Sequence, residues 1–337
     1  MEIFKDYSLL DHNTFRINSV ASSAVVINSE KELTECLKSI KVKNVFILGE
    51  GSNVLFVSEY INVCVIINRI KGIKVVEKNN DEVIVESGSG VLWDDLVKYC
   101  VKNNFGGIEN LSLIPGTVGA APIQNIGAYG QELKDHFDSL TAVEISSGKK
   151  IHLNKDECNF GYRDSIFKKE LKNKVIVTSV RLKLKTNPKI NIVYGTIAKE
   201  LESLGILHPT IEDVSNVIRK IRTEKLPDPK LYGNAGSFFK NPITTKDHYE
   251  SLKKDFPDIV GYPENENHIK IPAAYLIDKC GLKDYKVGNV GTYPTQPLVI
   301  VNYGNAAGKE VFDFAQMIKQ KVFEIFHVQL QEEVNIV

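Results

Sequence analysis

Short apolar runs separated by small and polar residues dominate the first half of the chain. Val45-Phe-Ile-Leu48, Val63-Cys-Val-Ile-Ile67 and Val83-Ile-Val85 are apolar or β-branched runs bounded by Gly, Asn and Asp, the pattern of strands. Asn79-Asn-Asp81 and Ser146-Ser-Gly148 fall between strand-like runs and predict hairpin turns. From Val91 to Val101 the period changes. Leu92, Leu96 and Tyr99 recur at helical spacing, and Gly106-Gly107 stops the segment. With Val175 to Leu184 as a further strand, this half reads as α+β.

After the breaker Asn187-Pro188 the texture turns toward helices, which predicts a boundary between residues 187 and 205. Thr210 and Asp213 have the spacing of a capping box, and Ile211, Val214, Val217, Ile218 and Ile221 then form one apolar helical face. A helix is expected after Pro272, a strand at Leu298 to Val301, an amphipathic helix from Lys309 to Phe326 and a closing strand from Val328 to Val337. No internal repeat or low-complexity tract interrupts the pattern.

A chain of 337 residues with 43% hydrophobic content is long enough for two or three modules. Lys plus Arg equals Asp plus Glu at 42 each, so no overall field recruits nucleic acid or an anionic membrane. The five cysteines, Cys36, Cys64, Cys100, Cys158 and Cys280, are widely spaced and contain no Cys-x-x-Cys, which argues for a reducing compartment and against a disulfide framework or zinc site. The N-terminus lacks the basic and then apolar order of a signal peptide, and the longest apolar run is too short to span a bilayer. A cytoplasmic, soluble protein is expected. The seven histidines have no metal-ligand spacing, so no metal is expected.

Two segments are richer in glycine than turns require: Gly49-Glu-Gly-Ser-Asn53, and Pro115 through Gly130. Glycine lets backbone approach a ligand and turn N–H groups toward phosphate oxygens. Either could be an ordinary turn, but two in one strand-rich half favour a pyrophosphate cradle. The cradle is neither a Rossmann fingerprint, since Gly49-Glu-Gly51 lacks a third glycine, nor a P-loop, since Gly304-Asn-Ala-Ala-Gly-Lys309 is short by one residue and lacks the Ser/Thr. Ser237 follows a glycine but lies outside Gly-x-Ser-x-Gly, which removes the hydrolase nucleophile elbow. By composition alone Arg163 reads as a surface ion-pair partner, Glu333 as a solvated charge, Tyr194 as a helix-start aromatic and Lys225 as a solvated cation.

Five strings in order are more specific: Gly49-Glu-Gly-Ser-Asn53, Ile114-Pro-Gly-Thr-Val-Gly-Ala-Ala-Pro-Ile-Gln-Asn-Ile-Gly-Ala-Tyr-Gly130, Phe160-Gly-Tyr-Arg-Asp-Ser-Ile-Phe167, Lys225-Leu-Pro-Asp-Pro229 and Gly233-Asn-Ala-Gly-Ser-Phe-Phe-Lys-Asn-Pro242. Together they resemble the UDP-N-acetylenolpyruvoylglucosamine reductases (MurB type) over essentially the whole chain. The resemblance implies an FAD-binding domain of the vanillyl-alcohol-oxidase/PCMH type in two α+β subdomains, 1–70 (joined by strand 328–337) and 71–190, and a C-terminal α+β substrate domain, 191–327. It implies NADPH as reductant of the FAD and reduction of an enolpyruvyl ether to UDP-N-acetylmuramate in peptidoglycan synthesis. It further implies that hydride would pass from flavin N5 to C3, with Arg163 and Glu333 stabilising the enolate and Ser237 protonating C2. Residues 49–53 contain neither His nor Cys, so the FAD is expected to be non-covalent.

The implied cofactor contacts are Gly49, Glu50, Gly51, Ser52, Asn53, Pro115, Gly116, Gly119, Ala120, Asn125, Gly127, Ala128, Tyr129, Gly130 and Ile176. The implied substrate contacts are Tyr194, Lys225, Asn241 and Gln296, with Tyr194 on a substrate-covering loop found in one subgroup. A small UDP-sugar partner and a monomer are expected. Glu332 stands beside Glu333 as a second acid that could enter the site. Two rival readings stay open: an FAD-dependent oxidase of another sugar or alcohol, and a catalytically silent UDP-sugar binder.

Overall fold

A computed structural model describes residues 2–39 and 44–337. Its contacts divide the chain into two units, one of residues 1–7, 21–50 and 62–224, the other of residues 8–20, 51–61 and 225–337.

In the first unit, the apolar runs form strands Val45–Leu48 and Tyr60–Asn68, paired in parallel with Val45 opposite Cys64. They belong to a four-stranded sheet with Ile3–Ser8 and Val20–Ile27. Helix Glu30–Ser39 covers this sheet by burying Leu33, Cys36 and Leu37 against Val25, Ile27 and Ile66. A second, five-stranded sheet is antiparallel throughout, in the order Lys150–Asn154, Phe137–Glu144, Val175–Lys185, Glu82–Gly88, Ile73–Lys78. The expected turns at residues 79–81 and 146–148 join two of its hairpins. Helix Trp93–Lys102 packs Trp93, Leu96, Val97 and Cys100 onto the core of that sheet. Burying one such large apolar side chain contributes about 1.5–3 kcal/mol.

Helix Ile211–Lys225 starts as expected, with Thr210 Oγ1 accepting from the Asp213 N–H at 3.2 Å and Asp213 Oδ2 accepting from the Thr210 N–H at 2.8 Å. Its apolar face meets Ile197 and Leu201 of helix Gly195–Ser203, together with Ile190, Ile192 and Tyr129. Those contacts carry residues 191–224 into the first unit, whereas the change of texture predicted a boundary between 187 and 205.

The second unit holds the antiparallel strands Lys286–Val287, Val290–Tyr293 and Gln296–Asn302, a small sheet around His268–Lys270, and helices Lys246–Asp255, Ala273–Lys279 and Gly308–Phe326. The closing strand is shorter than predicted. Asn335–Ile336 pairs in parallel with the two-residue strand Val54–Leu55, and a separate antiparallel bridge joins Glu332 to Phe239. No helix among the described residues is long and apolar enough to cross a membrane, and none of their His, Cys, Asp and Glu clusters could hold a metal ion. All five cysteines are free.

Candidate active site

In the first unit, the strand Val45–Leu48 delivers Gly49 and Glu50 to its end. The Glu50 carboxylate accepts the Gly116 N–H at 2.6 Å, and a Cβ on Gly49 would lie 2.5 Å from Thr117 Oγ1. Both glycine-rich segments are therefore in contact, as two halves of one cradle would be. Gly119 donates to Ser89 O at 2.8 Å, where a Cβ would again come within 2.5 Å of the Ser89 side chain. Among the described residues no acceptor pairs with the N–H groups of Glu50, Gly51 or Ser52, and Gly51 is left-handed at φ +71. Backbone N–H groups without an acceptor, next to a left-handed residue, suit an anion such as a pyrophosphate.

Two of the expected cofactor residues use their side chains elsewhere. Asn125 donates to Glu132 Oε2 at 3.0 Å and to Gly161 O at 2.9 Å and accepts from the Lys134 N–H at 3.0 Å. Ile176 is 2% exposed and packs with Leu33 and Cys36. Each has only its backbone left for a ligand. The turn beyond Asn125 is left-handed at both Tyr129 (φ +51) and Gly130 (φ +77).

Arg163 sits in a tight turn closed by reciprocal hydrogen bonds between Gly161 and Asp164, 3.0 and 3.3 Å long. Its own φ is +51, a conformation normally left to glycine or asparagine. The turn sends the guanidinium to Gly127 O, 2.7 Å away, in the second glycine-rich segment. Tyr194, at the start of helix Gly195–Ser203, places its ring edge-on to Tyr129 with centroids 5.5 Å apart and planes at 80°. Burial pushes the Tyr129 phenol above its ordinary value while the nearby Arg222 pulls it down. Burial lowers the Arg222 pKa, Tyr129 and Asp94 raise it, and the nearby Arg163 charge lowers it. The first unit thus links Arg163 to Gly127, Tyr194 to Tyr129, and Arg222 to the neighbourhood of Tyr129 and Arg163: two cations and two phenols, an arrangement suited to an anion.

In the second unit, Ser237 lies between the left-handed Gly236 (φ +70) and the fully buried Phe238 and Phe239. The buried Asn234 fixes the turn, accepting from the Gly236 N–H at 3.0 Å and donating to Tyr232 O at 2.8 Å. Phe238 N–H donates to Leu298 O at 2.9 Å, and Phe238 O accepts from the Glu333 N–H at 2.8 Å. Glu333 is therefore tied to the residue after Ser237, and Asn53 Nδ2 donates to Glu333 O at 3.3 Å. Glu332 goes another way: its Oε1 takes Lys319 Nζ at 2.7 Å and Gln316 Nε2 at 3.2 Å. Burial pushes the Glu332 carboxyl up, but hydrogen bonds from Lys319, its own backbone and Gln316 hold it below its ordinary value.

Of the expected substrate contacts in this unit, Lys225 and Gln296 are brought near each other by the Thr295 hydroxyl, which donates to Lys225 O at 2.8 Å. Asn241 instead caps a helix through Oδ1, which accepts the Ala273 N–H at 2.9 Å. Arg222 and Asp94 escaped the reading of the sequence as site residues. Ser215, Arg219 and Arg222 do form a polar stripe beside the apolar face of their helix, the one available signal.

A family model described as FAD binding domain matches residues 21–154, and one described as UDP-N-acetylenolpyruvoylglucosamine reductase, C-terminal domain, matches residues 228–337. The UDP-N-acetylenolpyruvoylglucosamine reductase of Flavobacterium johnsoniae is 46% identical over 338 residues, covering 100% of each chain. That of Pseudomonas aeruginosa is 42% identical over 338 residues, covering 100% of this chain and 99% of the relative. The crystal structure of UDP-N-acetylenolpyruvylglucosamine reductase (MurB) from Thermus caldophilus superposes with a TM-score of 0.68 at 25% identity, covering 99% of this chain and 98% of that one.

Proposed function

Since the chain belongs to the UDP-N-acetylenolpyruvoylglucosamine reductase family, we propose that it reduces UDP-N-acetyl-3-O-(1-carboxyvinyl)glucosamine to UDP-N-acetylmuramate with electrons from NADPH, through Arg163, Ser237 and Glu333. The chain is a flavoprotein oxidoreductase of peptidoglycan synthesis, with an FAD-binding domain of the vanillyl-alcohol-oxidase/PCMH type. The observation that carries the catalytic assignment is the hydrogen bond from Glu333 to Phe238, which ties the C-terminal acid to the serine segment while Glu332 is held by Lys319.

When bound, FAD supplies the two-electron carrier between NADPH and the enol ether. Addition at C3 leaves negative charge at C2 that spreads into the substrate carboxylate. Arg163, fixed by its bond to Gly127 O, stabilises that charge as it develops, because the guanidinium needs no reorganisation. Ser237 donates its proton to C2, a step open to so weak an acid because the enolate is strongly basic. Glu333 assists from the same strip of backbone. Lys225 and Gln296 hold the diphosphate end, joined by Asn241 through its amide nitrogen, and Tyr194 is a further substrate contact. In functional terms 191–327 is the substrate domain.

The FAD is held non-covalently, since residues 49–53 offer neither His nor Cys. The protein works in the cytoplasm, in keeping with five free cysteines, and as a monomer. Turnover with NADPH in deuterated water tests the proton step: the product carries deuterium at C2. A Ser237→Ala protein should be reduced by NADPH at the normal rate yet form product about 100-fold more slowly. Product formation at the wild-type rate by that variant removes Ser237 from the mechanism.

A further inference from the structure

The backbone between Leu111 and Gly116, which leads into the second glycine-rich segment, is held at several of its polar atoms by two helices. Trp93 Nε1 donates to Leu111 O at 3.0 Å, and the Trp93 N–H donates to Gly116 O at 2.9 Å. Asp94 Oδ1 accepts the Leu113 N–H at 2.7 Å, and Arg222 Nε donates to Leu113 O at 3.3 Å. Ser112 Oγ meets Ser215 Oγ at 2.8 Å. Leu113, gripped on both sides, is left-handed at φ +59. A leucine does not adopt that conformation without support, because its Cβ crowds the backbone oxygen.

Asp94 itself is fixed. Arg219 binds it in two places, Nη1 to Oδ2 at 2.9 Å and Nη2 to Oδ1 at 2.6 Å, and Lys98 Nζ lies 3.0 Å from Oδ2. The planar fork leaves the carboxylate one orientation, the one in which Oδ1 faces the Leu113 N–H. We propose that Asp94, locked by Arg219, is a positioning residue that holds Leu113 left-handed and so sets the Pro115–Gly119 turn in the geometry that binds FAD. The same clamp reaches toward the substrate side, since Arg222, which grips Leu113 O, lies close enough to Tyr129 to act on its phenol, and the Tyr129 ring meets that of Tyr194.

This role rests on the assignment of the Pro115–Gly119 turn to the cofactor, and one experiment separates the two. Full-length holoenzyme is diluted, and the flavin released is followed by its fluorescence, for the wild type, Asp94→Ala, and Asp94→Ala combined with Leu113→Asn. Asparagine tolerates the left-handed conformation without a clamp. Asp94→Ala should weaken FAD retention about 10-fold, equivalent to ~1.4 kcal/mol. Adding Leu113→Asn should recover most of that loss, which a merely structural role for the ion pair does not predict. If Asp94→Ala does not fold, Asp94→Leu, which also removes the acceptor for the Leu113 N–H, and its Leu113→Asn double variant are compared in the same way. Unchanged retention in the single variant, or no recovery in the double, overturns the proposal. Absence of bound flavin in the wild type would instead overturn the cofactor assignment.

Discussion

Replacing Arg163 by glycine separates catalysis from folding, because this residue stands at a position where arginine is a poor backbone choice. Its φ of +51 penalises any residue with a Cβ, by about 1–2 kcal/mol. Glycine removes that penalty but adds freedom to the unfolded chain, which offsets about 0.5–1 kcal/mol of the gain. The variant also loses the 2.7 Å hydrogen bond to Gly127 O, a net loss of about 1 kcal/mol. The three contributions nearly cancel, so the melting temperature should stay within ~4 °C of the wild type. Product formation should nevertheless fall about 100-fold or more, the usual consequence of removing a preorganised donor from a site of developing negative charge. Stopped-flow spectroscopy resolves the two half-reactions: flavin reduction by NADPH should be normal, and reoxidation by the enolpyruvyl substrate slow. Normal reoxidation refutes the catalytic role. A melting temperature far below the wild-type value would mean that Arg163 serves the fold instead.

Glu332→Gln and Glu333→Gln should diverge. The Glu332 carboxyl is held below its ordinary value in the folded protein, so it contributes stability above the unfolded-state pKa of about 4.3 that is lost as pH falls through the folded value. Glu332→Gln should therefore lower the melting temperature at pH 7, lose that difference in acid and leave turnover unchanged, whereas Glu333→Gln should slow flavin reoxidation about 100-fold with little change in melting; equal kinetic effects would contradict the division of roles. Glu109 has the opposite sign. Burial pushes its carboxyl up against the lowering by the Gly107 N–H, so the fold loses stability as pH rises from about 4.3 through the folded value. Glu109→Gln should melt higher than the wild type at pH 8 and not at pH 4, by scanning calorimetry; a pH-independent difference would rule this out.

The elements with strong local patterns were legible in the sequence. Val45–Leu48 is the strand that its β-branched run predicts, and Thr210 and Asp213 cap their helix as their spacing requires. Helix Lys246–Asp255 gave no such signal, because it buries only Tyr249 and Leu252 and is otherwise polar. The closing segment is broken into two short pairings, Glu332 with Phe239 and Asn335–Ile336 with Val54–Leu55, because both partners are short and far away in sequence. Within the candidate site, the five strings marked the glycine-rich loops and the segments that carry Arg163 and Ser237, while Glu333 lies outside them. They left the choice between Glu332 and Glu333 open, and Lys319 and Gln316, which engage one acid, lie on a helix that the strings do not include. Asp94 and Arg219 were invisible for the same reason. Each reads as an ordinary charge on a helix until the fold brings them within 2.6 Å of each other.

The proposed reaction is tested most directly under anaerobic conditions. The protein's flavin is first reduced with NADPH, and enolpyruvyl-UDP-N-acetylglucosamine is then added while the flavin absorbance is followed. Rapid return of the oxidised spectrum with that substrate, and none with UDP-N-acetylmuramate, is the predicted result. A flavin that stays reduced in the presence of the enolpyruvyl substrate would contradict it.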